Sequence, residues 1–300
     1  YRFLNYLWTW YLTVSYFKDV SYNMRELYMD QLKEKDLITQ MLDFIVDQID
    51  FDDTTYWKTV EINDISNYEI HNNQLEPFIE AVNDECKKLL VHLMYKIFSA
   101  SGTLSAKWYM NIKNKSLSSK IDRFVSEFVS PILISNELRE VENKKESLTS
   151  KDDSLTIKIN EKLHEVKASF LIDEQKLEIA FKLPVNYPLE NIQVIGISRV
   201  GISEQKWKQW IMSTQHVITG MNGSVQDSLE LFTKNVGLQF SGFEECAICY
   251  SILHAVDRKL PTKTCSTCKN KFHGACLYKW FRSSGNNTCP LCRSEINFRR

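Results

Sequence analysis

Three hundred residues give room for two or three domains, each with its own core. The composition, 43% apolar and 25% charged with few Gly and Pro, is ordinary for soluble globular protein. A formal net charge of -1 argues against indiscriminate binding to nucleic acid or membrane. Because the chain starts at Tyr1 rather than Met, it reads as the C-terminal piece of something longer.

The aromatic stretch Tyr1–Phe17 is the nearest approach to a membrane span. It is about a turn short of a bilayer and carries Arg2 and Asn5. With ten aromatics by Tyr28 it is expected to be a buried helix packed on its neighbours, with no membrane role. The whole of residues 1–145 reads as helical. From Asp36 the apolar positions Leu37, Met41, Ile45 and Ile49 share one helical face. Another helix is expected to open near Pro77, a residue suited to a first turn, and to run through Val82, Leu89, Leu93 and Ile97. Shorter helices follow at Trp108–Ile112 and Ile121–Val129, then a break at Pro131. Serial helices with short connections suggest stacked pairs, as in the end of an α-solenoid. Between Asp36 and Glu85 stand thirteen acidic residues and one basic one, Lys58, which reads first as a solvated face and second as a docking surface for a basic partner.

The polar stretch Glu140–Asp153 marks a boundary, and beyond it the apolar period changes from 3.6 to 2. Leu155, Ile157 and Ile159 alternate with polar residues. So do Val166, Ala168, Phe170 and Ile172, and, after a turn at Asp173–Gln175, Leu177, Ile179, Phe181 and Leu183. This is an antiparallel meander with one buried face, completed by a fourth strand at Ile192–Ile197. Two helices follow, one after Ser203 and one after Ser224, separated by Gly220 and Gly223. Residues 146–240 are thus expected to form an α+β domain.

Seven of the eight cysteines lie between Cys246 and Cys292, a pattern that reads as metal binding in a reducing compartment rather than as a disulfide scaffold. The order is Cys246-x-x-Cys249, fifteen residues, Cys265-x-x-Cys268, four residues, His273-x-x-Cys276, twelve residues, Cys289-x-x-Cys292. A two-residue spacer lets both side chains of a pair turn onto one zinc, and eight thiolate or imidazole ligands complete two closed, structural tetrahedra. Only four residues separate Cys268 from His273, too few for a second finger with its own core. The expected arrangement is therefore a cross-brace, with Cys246, Cys249, His273 and Cys276 on one zinc and Cys265, Cys268, Cys289 and Cys292 on the other. His254 fits no pair and reads as a loop residue. Cys86, in an apolar helix near Val82 and Leu89, reads as a buried, inert thiol.

Two families share this ligand order. PHD fingers, which read histone tails, carry an aromatic residue two places before the seventh ligand, where this chain has Asn287. RING domains place an aliphatic residue between the first ligands (Ile248), a tryptophan four places after the sixth (Trp280) and a proline after the seventh (Pro290). Residues 241–300 therefore resemble a RING domain, the PHD-type histone-reading adaptor being the alternative and a purely tethering zinc module a third reading. The resemblance implies a shallow groove of Ile248, Trp280 and Pro290 for a ubiquitin-conjugating enzyme. It also implies that Arg293 bridges that enzyme and ubiquitin, so that the chain acts by positioning rather than through a cysteine thioester. The preceding domain, with Tyr187-Pro188 in its loop, is similar to the RWD relative of the ubiquitin-conjugating fold. Ile192 stands where a second proline is usual, and no cysteine lies between Cys86 and Cys246 to serve as a conjugating nucleophile. The combined order, together with the segments Trp108–Ile112 and Phe124–Ile134, resembles the listerin family of ligases in ribosome-associated quality control. That resemblance implies cytoplasmic, ribosome-associated work on stalled nascent chains, with contacts to protein and RNA of the large ribosomal subunit. The excess of ten Lys or Arg over four Asp or Glu in residues 244–300 suits an acidic partner or a merely solubilising surface.

Overall fold

The computed structural model describes residues 2–17, 22–53, 57–58, 79–150, 153–172 and 174–296. Helices α1 (Arg2–Tyr16), α2 (Tyr22–Glu34), α3 (Leu37–Gln48), α4 (Ile79–Ala100) and α5 (Gly102–Met110) form the first layer. The 22-residue α4 is its axis: Leu89, Leu93, Met94 and Ile97 are fully buried, and α1 and α3 both pack on it. The aromatic helix α1 turns Leu7 and Val14 inward and lays Tyr11 against His92, ring centroids 5.5 Å apart. No helix among the described residues is long and apolar enough to cross a membrane. Pro77 and the helix start expected there lie outside the described residues. In the acidic stretch, Asp43 accepts a hydrogen bond from the Trp108 indole at 2.7 Å, and Asp52 pairs with Lys120 at 2.5 Å. These two carboxylates are therefore committed to partners within the helical layer. Cys86 is half-buried rather than enclosed.

Two expectations are corrected in the next helices. Pro131 does not break the chain's course: α6 (Lys115–Phe124) passes through a π turn, Val125–Val129, directly into α7 (Ser130–Thr149). The wide turn shifts the hydrogen-bond register, Ser130 donating five residues back to Val125, and Pro131 falls in the first turn of α7, where a missing N–H costs little. The polar stretch from Glu140 is likewise mostly helix, because α7 continues to Thr149. Its buried residues Ile134, Leu138, Val141 and Leu148 belong to the core of the following domain, whereas Leu133 belongs to the helical layer. One apolar residue per turn or two suffices where a sheet covers the stripe, and such sparse spacing reads as polar along the chain.

The sheet is the expected antiparallel meander, in the order β1 (Leu155–Asn160), β2 (Glu165–Ile172), β3 (Gln175–Lys182) and β4 (Gln193–Ser198). Its register stacks Leu155 with Phe170 and Leu177, and Ile157 with Ala168 and Ile179, so the alternating apolar residues share one face. Helices α8 (Glu204–Thr219) and α9 (Val225–Phe240) cover that face with Trp207, Trp210 and Phe232. Ser203 caps α8 and Ser224 forms a capping box with Asp227 at α9, as the two serines foretold. Gly196 on β4 permits the approach of Trp207: a Cβ there would lie 2.6 Å from the indole nitrogen. Ile192, at the position of the absent proline, is buried in this core.

The helical layer and the sheet domain meet through polar pegs. Asn222 accepts from the Thr103 N–H at 3.2 Å, Ser130 donates to the Tyr187 carbonyl at 2.6 Å, and Asn186 donates to Asp122 at 2.8 Å. Glu137 of α7 lies at the centre, accepting from the Val225 N–H at 2.9 Å and from the Tyr187 hydroxyl at 3.3 Å. Burial raises its pKa to about 7 against the hydrogen bond from Val225, with Glu140 adding to the rise. A carboxyl raised in the folded state retains a proton that the unfolded chain releases, so its contribution is full below about pH 4.5 and is lost as pH rises through 7. Glu137→Gln is therefore expected to flatten the pH dependence of stability: relative to the variant, the native chain should lose up to about 3 kcal/mol between pH 4.5 and 8. Urea denaturation across that range checks it, and parallel curves would mean that Glu137 is ionised throughout.

Candidate metal centres and the surface beside them

Three of the four ligand pairs adopt one backbone form. In each, the residue after the second cysteine has a positive φ, 58° at Tyr250, 60° at Lys269 and 60° at Arg293. Its N–H donates to the carbonyl of the first cysteine, at 2.7 Å from Tyr250 to Cys246 and at 3.0 Å from Lys269 to Cys265 and from Arg293 to Cys289. The N–H of that first cysteine in turn donates to the next residue, Ser251, Asn270 or Ser294. This closed knuckle points both thiols to one side. The fourth pair uses a helix instead: His273 is the N-cap of α10 (Gly274–Ser284) and Cys276 lies in its first turn. A short ladder flanks the second knuckle, β5 (Lys263–Thr264) leading into it and β6 (Lys271–Phe272) leading from it to this helix.

The knuckles interleave as a cross-brace. Cys246, Cys249, His273 and Cys276 form one cluster and Cys265, Cys268, Cys289 and Cys292 the other, all ligand atoms of each within 4.8 Å of one another. Two sulfur separations in the second cluster, Cys265 to Cys292 and Cys268 to Cys289, are both 3.7 Å. A tetrahedron with zinc–sulfur bonds of about 2.3 Å has edges of about 3.8 Å, so the spacing fits the ion. In the first cluster His273 offers Nδ1, which lies 3.3 Å from Cys249 Sγ and 3.8 Å from Cys276 Sγ. Its Nε2 lies 3.0 Å from the Ile252 carbonyl, to which it donates, and this leaves Nδ1 as the metal-facing nitrogen. Among the described residues these eight are the Cys and His donors of the two centres. His254 is outside both: it bonds Asp257 at 2.9 Å and rests against the His273 ring, 5.1 Å between centroids.

The proton equilibria of the first cluster are linked to one another. Hydrogen bonding from Cys249 and Cys276 holds the Cys246 thiol far below its ordinary value, and the thiol of Cys276 is raised in turn by Cys246 and Cys249. Burial alone would lower the His273 pKa, but Cys246 and Cys249 outweigh it and raise it to about 10. Ligands of this kind must give up protons to bind a divalent ion, so metal and protons compete for the cluster. Every ligand position is filled by protein, so the two zinc ions have a structural role.

The residues singled out beside the clusters are placed as follows. Ile248 sits in the first knuckle and packs, partly buried, against the cluster core. Leu277, not Trp280, fills that core from α10, and is 1% exposed. Trp280 is half-buried, its indole N–H donating to the Thr288 carbonyl at 2.9 Å, which ties the helix to the segment leading into Cys289 and Pro290. Arg293 is exposed. Sequence reasoning misses Leu291, half exposed between Pro290 and Cys292, and Tyr278, 71% exposed on α10; the signal available was their place among the ligands in an otherwise polar segment.

Comparison with known proteins agrees with this architecture. Residues 1–142 match the family model for the LTN1 family HEAT repeat region, residues 155–239 the ubiquitin conjugating domain-like model and residues 244–293 the Ring finger domain. The last match sets aside the PHD alternative. The chain is 69% identical over 298 residues, 99% of its length, to the E3 ubiquitin-protein ligase listerin of Saccharomyces cerevisiae. To the listerins of Schizosaccharomyces pombe and Mus musculus it is 36% and 32% identical, over 98% of its length in each case. It spans under a fifth of these relatives, 19%, 18% and 16% of their lengths.

Elemental analysis is expected to find two zinc ions per chain. Chelation should unfold residues 244–296 while leaving most of the helical circular dichroism, since ligands that must lose protons to bind metal couple folding to the ion. A stoichiometry of one would break the cross-brace assignment.

Proposed function

The chain belongs to the listerin family, and from that premise we propose that it works as a RING-type ubiquitin ligase. In this reading the RING recruits a ubiquitin-conjugating enzyme charged with ubiquitin and promotes transfer to substrate lysines. The observation that carries it is the state of Trp280. The tryptophan is outside the cluster core, its only polar atom is bonded to Thr288, two residues ahead of Pro290 in the chain, and the residue stays partly exposed. An aromatic held in place before any partner arrives loses little freedom on binding, which makes it a strong anchor. Ile248, presented on the first knuckle, supplies the other wall of the groove.

Catalysis on this reading is positional. All seven cysteines of the RING are ligands and residues 155–239 contain none, so no thiol of these two domains is available to take ubiquitin as a thioester. Arg293 stands in the third knuckle with its backbone held by Cys289, and its planar guanidinium has donors for two acceptors at once. We assign it the role of holding ubiquitin against the conjugating enzyme. The ubiquitin conjugating-like domain then serves as a docking module. The finer part of the proposal, that substrates are nascent chains on stalled large ribosomal subunits in the cytoplasm, is supported by the family and by the basic excess of the RING. Salt-dependent co-sedimentation with large subunits carrying peptidyl-tRNA is its test, and failure to sediment at low salt would remove it.

Trp280→Ala is expected to weaken binding of the conjugating enzyme by about 2 kcal/mol or more and to abolish chain formation, with both zinc ions retained. Loss of zinc would show instead that Trp280 supports the fold. Arg293→Ala should slow single-turnover discharge of ubiquitin to free lysine while barely changing affinity for the conjugating enzyme, and Lys should substitute poorly. Discharge at the native rate would mean that activation does not use this residue.

A further inference from the structure

The first metal cluster is supported from outside its own domain. Asn235, on α9 of the sheet domain, is 5% exposed and uses its whole amide. Its Oδ1 accepts from the N–H groups of Ile252 and Leu253, at 2.7 and 2.9 Å. Its Nδ2 donates to the Leu231 carbonyl at 2.9 Å and to the Ser251 hydroxyl at 3.0 Å. Two backbone donors on the oxygen fix which way the amide points, and two acceptors and two donors exhaust what it can offer. The Ile252 residue held in this way is the one whose carbonyl accepts from His273 Nε2. Two further pegs join the same faces: Ser213 of α8 donates to the Cys249 carbonyl at 2.9 Å, and Lys206 pairs with Glu245 at 3.2 Å. Apart from the bond to Leu231 within α9, these contacts reach the first knuckle of the histidine-containing cluster and the residues flanking it.

We propose that Asn235 is a positioning residue that makes the RING and the sheet domain one rigid body and, through the backbone of Ile252, orients the zinc ligand His273. A histidine ligand is set by the hydrogen bond on its other nitrogen, and disturbing such an outer partner typically costs about 10- to 100-fold in metal affinity. Here that partner is itself held by a buried side chain of the neighbouring domain. The all-cysteine cluster has no comparable outside support among the described residues, so the two metal sites respond differently to a change at Asn235. Rigid docking also fixes the direction in which the RING surface is presented relative to the sheet domain. This inference stands apart from the ligase reading and is read without any ubiquitin assay.

The test uses the full chain and Asn235→Leu, which keeps the branched outline of the side chain and leaves the Ile252 and Leu253 N–H groups without a partner. Cobalt(II) replaces zinc as a spectroscopic probe, because three-thiolate and four-thiolate sites differ in their d–d bands. The variant is expected to shift the three-thiolate band and to lose that metal to a chelator about 10-fold faster or more, with the four-thiolate band unchanged. Backbone 15N relaxation should show one tumbling time for both domains in the native chain and a shorter one for the RING in the variant. An unchanged cobalt spectrum with common tumbling would overturn the proposal. If Asn235→Leu loses the core around Trp207 and Trp210, as seen by their fluorescence, Asn235→Ala decides. It removes the amide without adding volume, so it should show the same shift confined to the three-thiolate band; an unchanged band would refute the assignment of the oxygen contacts as the link.

Discussion

The tetrahedral shell demanded by zinc is the constraint on which the C-terminal end depends. Cys246 and His273 share a shell although the second knuckle lies between them in sequence, and Cys265 shares one with Cys292 across α10. Interleaving means that neither site can form without bringing the whole segment into register. The buried apolar residues around the ligand sulfurs are few, Leu277, Phe272 and Ile296, with Ala247, Ile248 and Phe281 packed against them. So small a core contributes little by itself, and the ions supply the organising free energy. Trp280 and Arg293 inherit their positions from this scaffold, the first through Thr288 and the second through the knuckle of Cys289.

Above the RING the logic is that of ordinary apolar layers. A one-faced sheet is covered by two helices, and an all-helical layer stands beside it. The joint between the two layers adds specific polar bonds to the apolar residues of α7 that both cores share: Asn222, Ser130, Asn186 and Glu137 each bond a group across it. The joint between sheet domain and RING follows the same pattern, with Asn235 and Ser213 as its pegs. Buried polar groups satisfied in this way specify one orientation of neighbours more than they add stability.

Local signals in the chain account for much of this. Period-two alternation marked the first three strands, Ser203 and Ser224 marked the helix starts, and the spacing of the cysteines located both metal sites. What could not be read was non-local. Val141 and Leu148 are single apolar residues in a charged run, and only the sheet packed beside them explains their burial. Pro131 resembled a stop because the π turn ahead of it leaves no mark in composition. Asn235 sits among the apolar residues of α9, Leu229, Phe232 and Val236, where a polar residue hints at a specific bond. Its partners, however, are backbone groups 17 and 18 positions away, which carry no residue type to recognise.

Helix α7 has a consequence for how the chain comes apart. One face of it completes the helical layer with Leu133, and another lays Ile134, Leu138, Val141 and Leu148 into the core of the sheet domain. A helix common to two cores cannot melt without opening both, so the helical layer and the sheet domain are coupled into one cooperative unit. A protease cut ahead of Leu155 would strip the sheet domain of the apolar residues that α7 supplies, and the domain freed in that way would be a source of sticky surface rather than a working half. The boundary that evolution can recombine, or an engineer can cut, therefore lies elsewhere than at the change of period.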